Sequence, residues 1–334
     1  LPIFPQVWAG TNNNLAATYI NRIRGEKAEN LEKAITACQE ALKVFTFDVF
    51  PQYWAMTQNN LANAYSNRIR GEKAENLEMA ITAYHEALKV RTFDAFPQGW
   101  ADTQNNLAAT YINRIRGEKA DNLEKAIAAC QEALKVFTFD AFPQYWAMTQ
   151  NNLAIAYRNR IRGEKADNLE RAITAYEKAL KVLTFDAFPQ DWAATQNNLA
   201  AAYSDRIRGN KAENLEKAID AYKEALNVRT FDAFPQEWAM TQNNLAAAYS
   251  NRIRGDKAEN IKQAVMCYQN ALQGYETAGD FLNAAEMGLT LGKIKVDRGE
   301  WYQGLAYLEK SLKIYRQFDD LKSSADTIYK IAHK

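Results

Sequence analysis

Residues able to do bond-making chemistry are scarce in this sequence. There are two histidines, His85 and His333, and three cysteines, Cys38, Cys130 and Cys267. No Cys/His cluster has the spacing that closes a metal site. No GxSxG, P-loop or HExxH pattern occurs. The carboxylates are numerous, but their placement reads as solvated helix faces and dipole partners. Function has to be argued from a site, and no such site is in evidence. The expectation is therefore no catalytic residue, no metal ligand, no cofactor, and a protein that binds rather than converts.

The polar groups that recur are more informative. Asparagine pairs stand at Asn13–Asn14, Asn59–Asn60, Asn105–Asn106, Asn151–Asn152, Asn197–Asn198 and Asn243–Asn244. Asparagine is a poor residue for a helix interior, so its recurrence wants a reason. A ladder of amides could grip an extended peptide. Equally, each amide could bond the neighbouring helix and set the spacing between repeats. A second ladder holds Arg24, Arg70, Arg116, Arg162, Arg208 and Arg254, with Arg22, Arg68, Arg114, Arg160, Arg206 and Arg252 beside it. Such a row could bind an acidic peptide. Against this, Glu26, Glu72, Glu118 and Glu164 partly neutralise it, and helix C-termini favour arginine without any ligand.

Three columns vary where the rest is constant. They read Gly10, Met56, Asp102, Met148, Ala194, Met240; then Ala17, Asn63, Ala109, Ile155, Ala201, Ala247; then Ile20, Ser66, Ile112, Arg158, Ser204, Ser250. Met and Ile on an exposed stripe suit an adaptable binding surface, while free drift of surface columns is the alternative. Constant amides together with variable side chains give the candidate partner-binding set: Met56, Asn60, Asn106, Met148, Asn152, Ile155, Arg158 and Asn198.

The elements that must position these residues repeat with a fixed period. Trp8, Trp54, Trp100, Trp146, Trp192 and Trp238 are each 46 residues apart, and a period in this range marks a solenoid or array. Within one unit, Trp54, Gln58, Leu61, Tyr65 and Ile69 form one face of a first helix. Pro51 suits its first turn, and Asp48 can cap that turn or complement its dipole. Gly71 suits a left-handed C-terminal cap. Asn76 is the expected N-cap of a second helix with Glu78 in its first turn. The stripe Leu77, Ala80, Ile81, Tyr84, Ala87, Leu88 is apolar until Arg91. Such a hairpin must stack on its neighbours to bury its apolar face, so the Trp column is expected to be buried.

Leu61–Ala62, Tyr65, Ala80, Tyr84 and Ala87 resemble the signature of the tetratricopeptide repeat, in its long-repeat, kinesin-light-chain-like form. That family's unit is 34 residues. The extra residues here fall between Tyr65 and Ala80 and between one hairpin and the next. Gln58 occupies the family's Trp position, with Trp54 one turn earlier. The resemblance implies an all-α fold: a right-handed α-solenoid of antiparallel helical hairpins, on the order of fifteen helices. It also implies that the first helices line a concave groove, and that the second Asn of each pair and the variable columns sit at its ligand-contacting positions. The chaperone-tail carboxylate clamp of some members is not supported, because Met56 and Asn59 hold the positions where that clamp places Lys.

One array is read over residues 1–334, with six long repeats over 1–279, a standard-length repeat over 280–318, and a terminal helix, cap or truncated repeat, over 319–334. Units one and three, and units two and four, are alike enough to suggest duplication of a repeat pair, which weakens arguments from uniformity. Net charge is +1, with 47% apolar and 24% charged residues. This argues against a strongly basic nucleic-acid-binding domain, and no apolar run is long enough for a transmembrane helix. Cys38 and Cys130 occupy the column of Tyr84, Tyr176 and Tyr222, so they read as unpaired core residues in a reducing cytosol. The N-terminus, without Met, reads as the stub of a repeat junction in a fragment of a longer protein. The expected function is a cytoplasmic scaffold holding a protein or peptide segment in its groove, without nucleic-acid or membrane partners. The alternatives are a purely architectural or self-associating solenoid, or the sensor arm of a larger effector. Such arrays adjoin effectors like a caspase-like peptidase in bacterial proteins, which is implied by the resemblance alone.

Overall fold

The computed structural model describes residues 3–318 and residue 323. Among these residues there are fourteen helices and no strand. The chain falls into two compact units that meet in sequence between Val182 and Leu183. The first contains α1 (Pro5–Asn21), α2 (Lys27–Leu42), α3 (Pro51–Asn67), α4 (Lys73–Leu88), α5 (Pro97–Asn113), α6 (Lys119–Ala133), α7 (Pro143–Asn159) and α8 (Lys165–Ala179). The second contains α9 (Pro189–Asp205), α10 (Lys211–Leu226), α11 (Pro235–Ser250), α12 (Lys257–Ala278), α13 (Phe281–Asp297) and α14 (Trp301–Gln317). In each unit successive helices pair as hairpins, and successive hairpins stack. The final helix expected over Leu321–His333 lies outside the described residues.

Proline sets the start of every odd-numbered helix from α1 to α11, in the first turn where its missing N–H costs no hydrogen bond. The residue before it is the N-cap; Phe50, for example, receives the first helical bond from the Trp54 N–H at 2.8 Å. No side chain caps this end, so Asp48 does not act as the cap. The helix then stops at Asn67, earlier than the apolar spacing suggests, because Arg68 is extended at φ −58°, ψ 130°. Ile69 is therefore outside the helix and 61% exposed, a correction to its place on the apolar stripe. Gly71 does adopt a left-handed conformation, at φ +76°, but in the following loop rather than at the helix cap. The carbonyl end of α3 is closed by Lys73, whose Nζ donates to Ser66 O at 2.7 Å.

Asn76 is likewise displaced from its expected role. α4 begins three residues earlier, with Glu72 as its N-cap. Asn76 is buried one turn in, donating to Arg70 O at 2.9 Å and accepting from Arg68 Nη1 at 3.4 Å. It fixes the loop that joins the two helices. Asn30, Asn122, Asn168, Asn214 and Asn260 make the same bond in their own loops.

Both helices of each hairpin enter the core, and the second supplies its constant leucines. Leu31, Leu77, Leu123, Leu169 and Leu215 are buried, with alanines between them that let helices approach closely. Cys38 and Cys130 sit buried in the column of Tyr84, Tyr176 and Tyr222, unpaired. Burial pushes both thiols up to about 12. The column from Trp8 to Trp238 is only half-buried, and from Trp54 onward each ring meets a phenylalanine of the preceding link in edge geometry. Phe47 meets Trp54 at 5.1 Å, and Phe139 meets Trp146 at 5.2 Å. The residues buried on α3 are Ala55, Thr57, Asn59, Leu61, Ala62 and Ala64. Trp54 packs at the edge of the buried cluster of Ala9, Ala41 and Phe45, while small residues form the fully buried face of α3. In the last hairpin the helices touch through glycine: a Cβ on Gly304 would meet Gly292 O at 2.9 Å.

Candidate functional site

Both ladders of polar side chains turn out to join one repeat to the next. The amide of Asn60 donates to Asn13 Oδ1 at 3.0 Å, that of Asn152 to Asn105 Oδ1 at 3.0 Å, and that of Asn244 to Asn197 Oδ1 at 3.3 Å. The arginines at the ends of the first helices reach back to the second helix of the preceding hairpin. Arg68 bonds Glu32 through Nε and Nη2, both at 2.8 Å, and Arg114 bonds Glu78 in the same two-pronged way. Arg160 and Glu124, and Arg252 and Glu216, repeat it. These guanidinium groups hold Glu32, Glu78, Glu124 and Glu216 below the usual carboxylate range. Each guanidinium also lies near the tyrosine three residues earlier, as Arg68 does over Tyr65 at 6.0 Å. The outer row is looser: Arg162 meets Asp121 with both side chains more than half exposed.

The junction between α3 and α5 departs from this regularity. At the two neighbouring junctions an aromatic pair fills the space beside the first turn of the next helix. Phe45 stacks on Tyr53 at 4.9 Å, and Phe137 stacks on Tyr145 at 5.0 Å. At the α3–α5 junction the corresponding residues are Arg91 and Gly99. The guanidinium of Arg91 donates through Nη1 to Thr103 Oγ1 at 3.2 Å and to Gly99 O at 3.4 Å. Thr103 Oγ1 lies 2.8 Å from Gly99 O and 3.1 Å from Asn59 Oδ1. Burial pulls the Arg91 guanidinium below its ordinary range, offset by Asp102, which acts through space and not through a hydrogen bond. Burial in turn pushes the Asp102 carboxyl up, with Arg91 pulling it down. A cavity of about 510 Å³ opens here, lined by Gln52, Met56, Arg91, Phe96, Gln98 and Gly99 among others.

A second cavity lies about two turns further along the same helices, near 500 Å³ and mainly polar. Asn63, Ser66, Asn67, Lys73, Tyr84, Asn106, Ala109 and Asn113 line it. Thr103 Oγ1 donates to Asn59 Oδ1, the acceptor that corresponds to those used by Asn60 and Asn152. Among the described residues the Asn106 side chain makes no hydrogen bond.

The eight residues singled out in the sequence are placed as follows. Met56 and Asn60 are half-buried one turn apart on α3; Met56 lines the first cavity and Asn106 the second. Met148, Asn152, Ile155 and Arg158 run along α7, with Met148 38% exposed and the other three half-buried. Arg158 receives the Lys165 ammonium on its backbone oxygen at 2.9 Å. Asn198, in the second unit, is half-buried and accepts from Asn197 at 3.4 Å. Sequence reasoning missed Arg91, Gly99 and Thr103. The available signal was the paired change of two columns, Phe45/Arg91/Phe137 with Tyr53/Gly99/Tyr145.

Among the described residues no cluster of His, Cys, Asp and Glu could hold a metal ion, and no helix is long and apolar enough to cross a membrane. The tetratricopeptide-repeat family profile matches five stretches, residues 8–48, 54–94, 100–140, 146–185 and 192–232. The chain belongs to the tetratricopeptide-repeat family. No curated protein matches it in sequence. Similar solved structures include the apo form of RapI, with TM-score 0.61 and 13% identity over 93% of this chain and 99% of that one. A Rap protein complexed with competence and sporulation factor has TM-score 0.51 and 12% identity over 98% of both chains. A signal transduction ATPase with numerous domains and a tetratricopeptide repeat sensor, from Pyrococcus horikoshii, has TM-score 0.52 and 12% identity; the match covers 98% of this chain and 53% of that one. At these identities the likeness is one of fold.

Proposed function

We propose that the chain is a non-catalytic binding module that holds a protein or peptide segment in a groove lined by the first helix of each repeat. The observation that carries this reading is the α3–α5 face, where Met56 and Asn106 each line a cavity near 500 Å³. Variable residues on the same helix face, Met148, Ile155 and Arg158, supply choice of partner, and Asn106 offers an amide to a backbone, the division of labour common in peptide recognition. Asn60 and Asn152 belong to the proposed surface of the first unit, and Asn198 to that of the second. Asn60 and Asn152 already use their N–H groups between repeats, so their contribution to a ligand is through spacing and their remaining acceptor capacity. The Rap protein complexed with competence and sporulation factor supports a groove that takes a partner.

The division into six long repeats over 1–279, one standard-length repeat over 280–318 and a terminal segment over 319–334 is part of the same proposal. A reducing, cytoplasmic setting is supported by three buried, unpaired thiols. A second reading, a sensor arm of a larger effector, is supported by the repeat sensor of the multidomain ATPase; it places the same groove under a different output.

The test is selection of displayed twelve-residue peptides on the full chain, followed by calorimetric titration of the enriched sequences. Binding that falls at least tenfold in Ala109→Arg and in Ile155→Arg, with the melting temperature held, is the expected result. Absence of any enriched peptide, or binding indifferent to both substitutions, would refute the groove.

A further inference from the structure

The Arg91 cavity has a counterpart inside the molecule that shows what its arginine lacks. In the second unit Arg229 holds the position of Arg91 and donates through Nη1 to Thr241 Oγ1 at 3.1 Å, as Arg91 does to Thr103. A cavity opens beside it too, but of only about 230 Å³. The residue in the place of Gly99 is there Glu237, which lines the cavity and supplies charge to Arg229. Asp191 lines it as well. So one arginine cavity brings its own carboxylates. The other presents a glycine, roughly twice the space, and, among the described residues, neutral oxygens as the only hydrogen-bond acceptors of its guanidinium.

A guanidinium removed from bulk water is best matched by a carboxylate, which accepts two parallel N–H bonds where a carbonyl or hydroxyl accepts one. Nε and Nη2 of Arg91 have no partner among the described residues, and they form such a two-pronged edge. Asp102 lies one turn beyond Gly99, outside the cavity lining, and reaches Arg91 only through space. The apolar walls from Met56, Val90, Ala95 and Phe96 suit the methylenes of an acidic side chain, and Gln52 and Gln98 offer amide donors at the rim.

We propose that the Arg91 cavity is a carboxylate subsite, which receives an Asp or Glu side chain from a polypeptide partner lying along α3 and α5. The inference rests on the groove reading above and names the chemistry of its ligand. Seven residues of helix separate Met56 in this cavity from Asn63 in the amide-lined one, about 10 Å at 1.5 Å per residue. An extended chain covers that in about three residues. The partner should therefore carry an acidic residue followed, about three positions on, by backbone held at Asn63 and Asn106.

The experiment uses the peptides enriched on the full chain. Those binding α3 and α5 should share an Asp or Glu at one position. Arg91→Gln should weaken them at least tenfold, and changing that peptide residue to its amide should give the same loss. Combined, the two changes should cost no more than either alone, the signature of a direct contact. Gly99→Glu, which places a carboxylate where Glu237 stands in the second unit, should also weaken them tenfold; it keeps the test meaningful if Arg91→Gln lowers the melting temperature. Peptides that lose binding in Ala109→Arg yet stay within twofold in Arg91→Gln and Gly99→Glu would overturn the subsite and leave the groove standing. If no peptide is enriched at all, the groove fails and the subsite falls with it.

Discussion

The junction between α3 and α5 and the one between α5 and α7 sit side by side in the same unit and are built on the same plan, yet they solve the filling of one space differently. At the second, Phe137 is fully buried and stacks on Tyr145. At the first, Arg91 packs directly on Gly99, and the two line a cavity. The residues around them are nearly identical, so the contrast isolates one pair of positions. It teaches that repetition in this chain secures the stack, while departure from repetition makes room. The constant residues, Asn76, Arg114 and Glu78 among them, are hydrogen-bonded within and between repeats; the exceptional pair Arg91 and Gly99 lines a cavity.

The largest effect should come from the filled junction. Phe137→Ala removes a buried ring and should cost about 3–5 kcal/mol in chemical denaturation, whereas Arg91→Ala should cost only about 1 kcal/mol, because the loss of two hydrogen bonds is offset by relief of a partly desolvated charge. Equal losses would mean that the cavity is as important to packing as the stack. Trp146→Ala should fall between them, at about 2–3 kcal/mol, since its ring is only half-buried. A value above that of Phe137→Ala would show that the column of tryptophans, not the buried core, holds the repeats together.

The ion pairs between repeats come next. Arg114→Ala should cost about 1 kcal/mol, the upper range for a partly exposed pair helped by two-pronged geometry. The pH dependence follows from the lowered carboxylates. Glu32, Glu78, Glu124 and Glu216 titrate below their ordinary 4.5 when folded. Their contribution is fully present above that value and is lost as pH falls through the lower folded values. Denaturation midpoints should drop below pH 4.5 in the parent protein, and more shallowly in Arg114→Ala with Arg160→Ala. Identical slopes would remove the pairs from the account. The smallest effect is expected from Asp102→Asn, which frees Arg91 of a through-space competitor and should tighten acidic peptides by about twofold; weaker binding would give Asp102 a supporting role instead.

Much of this architecture was legible in the sequence. The 46-residue period, the helical hairpin and the buried Cys38 and Cys130 follow from spacing and residue type. The helix start at Pro51 was legible, but the loop inside each hairpin was not, because side chains there bond carbonyls six or seven residues away and so move the helix ends. Asn76 looks like an N-cap by type but is drawn inward to hold Arg70 O, and Ile69 continues an apolar spacing that Arg68 has already broken. The arginine ladder could be read as a ligand site because its partners, Glu32 for Arg68 and Glu78 for Arg114, lie 36 residues upstream on another hairpin. The candidate site was half legible. Met56 and Asn106 came from variable and polar columns, while Arg91 was seen only as the point where an apolar stripe stops. Its meaning depends on Gly99, and that pairing appears only when two repeats are stacked.

The claim that an exceptional junction makes a binding site is tested most directly by making it ordinary. Arg91→Phe with Gly99→Tyr rebuilds the α3–α5 junction on the pattern of Phe137 and Tyr145. The double variant should melt at or above the temperature of the parent protein, because a stacked aromatic pair replaces a desolvated charge beside a cavity. It should also bind the acidic peptides selected on the parent at least tenfold more weakly in calorimetric titration. Unchanged affinity in a variant that remains fully folded would contradict the account.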